Sequence, residues 1–218
     1  MEYLTTYYKR QGERGCSLLL QHYLCGQVPI CFAALCTSEG EGSGEVCREA
    51  TAGLMGWCRS VPWHSAAKKA DLWLRHREEE LEERLGHSGE KAGEAACTTG
   101  DREALRITLL LGVGEEVTVL GGGQNVRLLN TSFGRGRVRK LPGQFRGRLE
   151  PGAGILLATD GFLGSVEEDK MAEALRLPEI RREEQAERRL KELAQHDRTG
   201  SGPAGAILLL GRNGDFYG

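Results

Sequence analysis

Apolar residues fall along this chain in short runs separated by glycine-rich and charged breaks, and the length and period of each run predict its element. Residues 3–8, rich in Thr and Tyr, predict a strand. Residues 16–25 (CSLLLQHYLC) and 28–36 (VPICFAALC) predict two more, joined as a hairpin by Gly26-Gln27. A loop, TSEGEGSG, follows Cys36. Over residues 45–59, Val46, Ala50, Leu54, Trp57 and Cys58 recur at helical spacing and predict a helix with one apolar face, ended by Pro62. Residues 65–85 predict a second helix, with Ala66, Ala70, Leu74, Leu81 and Leu85 on one side. The Arg and Glu residues on its other side read as a solvated face. Polar residues 86–103 read as a loop. Residues 105–111, 116–120 and 125–130 predict three strands, separated by turns at Gly112-Val113-Gly114 and Gly121-Gly122-Gly123. A buried strand at 155–158 ends in a sharp turn at Asp160-Gly161. Helices follow at 168–176 and, past Pro178, to about residue 196, and a last strand covers 204–210. Strands, helices, strands, helices and a final strand make a mixed α+β pattern. The 218 residues read as one domain, 1–218.

Composition narrows the function classes. The formal net charge is -2, which points to neither a nucleic-acid nor a membrane partner. No apolar run approaches the roughly 20 residues that span a bilayer. The stretch MEYLTTYYKRQGERG lacks a signal-like apolar segment, so a cytoplasmic location is expected. There are seven cysteines and no CxxC pair. Cys25, Cys31, Cys36, Cys47 and Cys58 sit among apolar residues and read as buried free thiols rather than zinc ligands or disulfides. His64, His76 and His87 share no ligand spacing and read as surface residues.

Two features carry candidate chemistry. Residues 133–148, FGRGRVRKLPGQFRGR, hold Arg135, Arg137, Arg139, Lys140, Arg146 and Arg148 and no acid. Arginine forks suit phosphate oxygens, so this stretch is a candidate anion-binding surface, with a solvated loop as the alternative. Few aromatics accompany it, and single-stranded nucleic acid is a poor fit. The second feature is Asp160, a carboxylate held where a buried strand ends. That is a good place for a metal ligand and an ordinary place for a turn residue.

The run LLATDGFLGSVEEDKMAEAL resembles the segment of the metal-dependent (PPM-type, protein phosphatase 2C-like) protein phosphatases in which an Asp-Gly pair follows a strand and precedes a helix. The order of the other elements resembles that family over nearly the whole chain. The resemblance implies a four-layer α-β-β-α sandwich and a site where two or more Mg²⁺ or Mn²⁺ ions, held by carboxylates, activate a water against phosphoserine or phosphothreonine. Carried over residue by residue, most of those carboxylates are missing. The family's first acid falls on Cys16, within Arg14-Gly15-Cys16-Ser17, where Arg14 stands as the remnant of a phosphate-binding arginine. Its metal-bridging Asp falls on Thr37, with Ser38 next. Gly44-Glu45 and the following helix are kept, and Glu39 and Glu41 are nearby sources of oxygen. A Gly-Thr-Thr element corresponds to Cys97-Thr98-Thr99, a later Asp to Gly122, and the last acidic motif to Gly202-Pro203. Asp160-Gly161 is intact. The resemblance therefore implies a pseudophosphatase: a regulatory module that binds a phosphoprotein or a Ser/Thr kinase. No cofactor is expected, with Mg²⁺ or Mn²⁺ the ion if any metal binds. The alternative is a weak Mn/Mg-dependent phosphatase that uses Asp160 with Glu39 or Glu41.

Overall fold

In the computed structural model, the apolar runs pair into two five-stranded antiparallel sheets. The structure describes residues 1–12, 14–40, 42–95, 105–121, 125–130, 137–164, 168–175, 177–196 and 203–212. The strands are β1 (Glu2–Lys9), β2 (Cys16–Cys25), β3 (Val28–Thr37), β4 (Arg106–Val113), β5 (Glu116–Gly121), β6 (Asn125–Asn130), β7 (Arg137–Lys140), β8 (Phe145–Arg148), β9 (Ala153–Ala158) and β10 (Gly205–Arg212). One sheet has the order β2-β3-β4-β5-β8 and the other β1-β10-β9-β6-β7. The helices are α1 (Ser43–Ser60), α2 (Trp63–Lys68), α3 (Ala70–Ala95), α4 (Asp160–Leu163), α5 (Glu168–Leu175) and α6 (Glu183–His196).

Strand alternation explains the layers, because successive side chains point to opposite faces. In β3, Cys31, Ala33 and Leu35 pack into the space between the sheets. Ile30, Phe32, Ala34 and Cys36 face the other way, onto Leu54, Trp57 and Cys58 of α1 and onto Leu74 and Leu81 of α3. In β10, Ile207 and Leu209 face the sandwich interior. Ala206, Leu208 and Leu210 face Met171 and Leu175 of α5 and Leu190 and Leu193 of α6. Three apolar layers thus separate four structural ones, in the order helix, sheet, sheet, helix. This is the α+β sandwich that the resemblance implied.

The hairpin at Gly26-Gln27 is present, with Cys25 opposite Val28 and Gly26 at φ +65°. A positive φ lets a two-residue turn follow the strand twist. Three expectations are corrected. The helix predicted over 65–85 begins at Trp63 and is broken at Lys69, whose φ of -145° and ψ of 64° are not helical. In one straight helix, Trp63 and Trp73 would lie about 15 Å apart along the axis. The break brings their rings to 5.4 Å. Beyond the break, α3 continues to Ala95 and takes up the start of the predicted 86–103 loop, where Glu, Lys and Ala favour helix. The predicted turn at Gly112-Val113-Gly114 is shifted, since Gly112 and Val113 belong to β4 and Val113 pairs with Glu116. Gly112 lies under Tyr3: a Cβ added there would sit 2.7 Å from the Tyr3 hydroxyl oxygen. That hydroxyl donates to the Gly114 carbonyl at 2.7 Å, so the glycine serves a close approach rather than a turn.

Among the described residues, no helix is long and apolar enough to cross a membrane. Cys16, Cys31, Cys36, Cys47 and Cys58 are buried free thiols, and Cys25 is free and partly exposed. Burial pushes the Cys36 thiol up to about 11, partly offset by its hydrogen bond with Thr51. Burial also pushes Cys58 up to about 11, partly offset by Tyr23 and Arg59. Both are protonated at neutral pH, which keeps them unreactive. Cys97 lies outside the described residues.

Candidate functional site at one end of the sandwich

The ends of six strands converge at one edge of the two sheets. Cys16 opens β2 and pairs directly with Thr37, the last residue of β3, which in turn pairs with Arg106 at the start of β4. From the other sheet, Lys9 ends β1 opposite Gly205, the first residue of β10. A Cβ added at Gly205 would lie 2.6 Å from the Cys16 sulfur, so the two sheets touch here. The end of β9 reaches the same place through Thr159, whose N–H donates to the Gly205 carbonyl at 3.0 Å. The positions the resemblance assigned to separate motifs, Cys16, Thr37 and Asp160, therefore do meet in space.

Asp160 is placed by a cap rather than by the sharp turn expected from the sequence. Thr159 has extended backbone, and its Oγ1 accepts from the N–H groups of Phe162 and Gly205, each at 3.1 Å. A threonine at this position is a favoured N-cap. Asp160 is then the first residue of the one-turn helix α4, with Phe162 buried behind it against Tyr8. Its carboxylate is exposed and lies 3.8 Å from the Arg106 guanidinium. Arg10 also reaches over, donating from Nη2 to the Gly161 carbonyl at 3.4 Å.

Of the positions that would carry further carboxylates, Cys16 and Thr37 are described, and both are buried and neutral. Cys16 and Ser38 are almost wholly enclosed, and Thr37 is buried. The Ser38 N–H donates to the Gly15 carbonyl at 3.0 Å, and the Cys47 thiol of α1 donates to the same carbonyl at 3.6 Å. These bonds fasten the start of β2 and the end of β3 to α1. Glu39 is exposed. Glu41, Thr98, Thr99, Gly122 and Gly202 lie outside the described residues. Among the described residues, no group of three or more His, Cys, Asp or Glu is arranged to hold a metal ion.

Beside these residues an open cleft of about 690 Å³ is lined by Lys9, Arg14, Cys16, Ser43, Glu45 and Arg48, among others. Gly44 lets the Arg14 backbone lie against the first turn of α1, since an added Cβ would be 2.9 Å from the Arg14 carbonyl oxygen. Of these residues, only Arg14 was singled out by sequence as an anion ligand. Lys9, Arg10, Arg48 and Arg106 were not. Their signal is positional: each flanks a strand end or occupies the opening turns of α1, and it becomes readable once those ends are placed together.

The described basic residues of the 133–148 stretch lie on strands rather than in a loop. Its chain crosses from one sheet to the other, with Arg137, Arg139 and Lys140 on the edge strand β7, and Arg146 and Arg148 on β8 at the edge of the opposite sheet. Arg146 donates to the backbone carbonyl and the carboxylate of Asp71 on α3 and lies 3.8 Å from Glu78. Arg148 donates from Nε to Glu116 at 2.9 Å. Arg135 lies outside the described residues.

No protein-family model matches the sequence, and no curated protein sequence does either. Solved structures do match. The catalytic domain of the serine/threonine protein phosphatase PstP, in complex with two manganese ions, is 15% identical, with a TM-score of 0.66 over 97% of this chain and 100% of that one. PppA, a key regulatory component of the T6SS in Pseudomonas aeruginosa, is 13% identical, with a TM-score of 0.68 over 96% and 98%. The fold is that of the PPM-type serine/threonine phosphatases. RsbX in complex with magnesium shares the phosphatase fold at 14% identity and a TM-score of 0.60, over 95% and 93%. At these identities the likeness establishes the phosphatase fold and leaves chemistry to the residues at the sandwich edge.

Proposed function

We propose that this chain is a phosphatase-fold module that engages a phosphoprotein or a Ser/Thr kinase without metal-dependent hydrolysis. One observation carries the reading: Cys16 and Thr37 face each other across β2 and β3 where carboxylates would be needed, and Asp160 lies beside Arg106. Hard divalent ions such as Mg²⁺ and Mn²⁺ take about six oxygen ligands, and a thiol is a poor substitute. A single exposed carboxylate offers one or two oxygens and does not displace the ion's water shell. A guanidinium 3.8 Å away further repels any cation placed there. The described residues therefore do not fit a two-metal centre, and no hydrolytic step is assigned to one. The neutral replacements also suit the fold, since buried like-charged carboxylates without a metal would repel one another.

Hydrolysis of p-nitrophenyl phosphate, titrated with Mn²⁺ and run beside Asp160→Ala, tests this reading. The expected result is no metal-dependent turnover above the Asp160→Ala background. Turnover that saturates with Mn²⁺ and vanishes in the variant would overturn it in favour of a weak phosphatase built on Asp160.

A further inference from the structure

The two sheets end in four edge strands, and these edges differ in charge. β7 (RVRK) and β8 (FRGR) are basic, and β1 has Glu2 and Lys9 at its ends. Charge on an edge strand keeps it from pairing with another chain. The ten residues of β2, CSLLLQHYLC, include no Lys, Arg, Asp, Glu or Pro. They pair with β3 in unbroken register from Cys16 to Cys25, so no bulge turns the edge aside. Among the described residues, 17–25 make no main-chain hydrogen bond to any segment but β3. Alternate residues of an antiparallel strand aim N–H and C=O at opposite neighbours, so about half of the β2 main-chain groups aim outward. Exposed apolar side chains gather along the same edge. Among the described residues, the large apolar side chains left exposed are Tyr7, Tyr23, Leu24 and Leu72. Tyr23 and Leu24 belong to β2, and Leu24 is 68% exposed. β1 runs beside this edge, since Thr5 Oγ1 and His22 Nδ1 share a hydrogen bond at 2.9 Å. Tyr7, 56% exposed, lies on the same face of β1 as Thr5.

We propose that β2 is a dimerisation edge: a second copy of this chain adds its own β2 antiparallel across a two-fold axis and joins the two β2 sheets into one. Charge and symmetry select this occupant. An uncharged strand meets its own copy without repulsion, whereas β7 would set arginine against arginine. The antiparallel pair is self-complementary, so the contact closes at two copies instead of running on as a filament. Outward main-chain groups supply the hydrogen bonds. Leu18, Leu20 and Leu24 share one face of β2 and, with Tyr7, supply apolar surface to bury. The pairing holds whether or not the chain hydrolyses phosphate.

Sedimentation velocity of the full chain from about 1 to about 100 µM tests the dimer. Reducing conditions exclude a disulfide through the partly exposed Cys25. A shift from monomer to dimer with concentration is expected. Over the same range, amide hydrogen exchange of residues 17–25 should slow while that of β7 stays unchanged. Leu24→Lys and His22→Glu, both at exposed positions, are each expected to weaken dimerisation at least tenfold, with the melting temperature of dilute protein unchanged. Mixing His22→Lys with His22→Glu chains should restore association, which a folding defect would not allow. A monomer at every concentration overturns the proposal and leaves the edge to a strand of another protein. A dimer that ignores the β2 changes, or whose residues 17–25 exchange as fast as in the monomer, places the contact elsewhere and also overturns it. Association that continues past two copies contradicts the two-fold closure.

Discussion

Cys16→Asp is expected to destabilise the protein by about 3 kcal/mol at pH 7, the size of the penalty for a buried, uncompensated charge. The sulfur of Cys16 is almost wholly enclosed and packs where Gly205 leaves no room for a Cβ. A carboxylate there must lose water and push against β10. The cations of the neighbouring cleft are exposed, so solvent screens most of what they could return. The effect should depend on pH with a definite sign. Burial raises the folded-state pKa of the new carboxyl above its unfolded value, so the unfolded chain holds fewer protons over that interval and stability falls as pH rises through it. Urea unfolding at pH 7 and pH 5 measures both, and the loss should be smaller at pH 5. Millimolar Mn²⁺ should not restore stability, because Thr37 and Arg106 remain. Recovery with Mn²⁺ would mean that the strand ends still form a cage needing only one acid.

Phe32→Ala is expected to cost about 3–5 kcal/mol, the range for emptying a large aromatic site in a packed core. Phe32 is fully buried on the helix-facing side of β3, with its ring 5.5 Å from that of Trp57. Trp57 in turn donates its indole N–H to Glu80 of α3 at 2.8 Å, so one aromatic pair joins β3, α1 and α3. α1 carries Ser43, Glu45 and Arg48 of the cleft, and loosening it should disturb that edge of the sandwich as well as stability. The check is the denaturation midpoint at unchanged slope. A loss under about 1 kcal/mol would show that α1 is held by something other than this pair.

Much of the fold was legible because its central strands, β3, β4, β9 and β10, are apolar on both faces and its glycines mark the turns. The pairing of β1 with β10, across nearly the whole chain, is not a local property and needed the resemblance or the structure. Lys69 shows a different limit. Nothing in its own residue type breaks a helix; the break comes from the packing of Trp63 on Trp73. At the site, the resemblance placed family acid positions at 16 and 37, where the sequence has Cys and Thr, and the register shows that these two positions face each other. The basic stretch shows why a run of like charges is ambiguous. Strand formation divided its described members between two sheets, where Arg146 and Arg148 are joined to neighbouring acids. Lys9 and Arg48 escaped notice because they come from separate segments, and a charge cluster built by folding leaves no run in the sequence.

The central proposal is that the described residues at the edge of this sandwich form no divalent-ion cage. Titration of the protein with Mn²⁺, followed by the electron paramagnetic resonance signal of free ion, tests it without reference to any substrate. The account predicts that added Mn²⁺ stays free at micromolar concentrations and that Asp160→Ala changes nothing. One or two equivalents bound at micromolar Mn²⁺, and lost in Asp160→Ala, would contradict it.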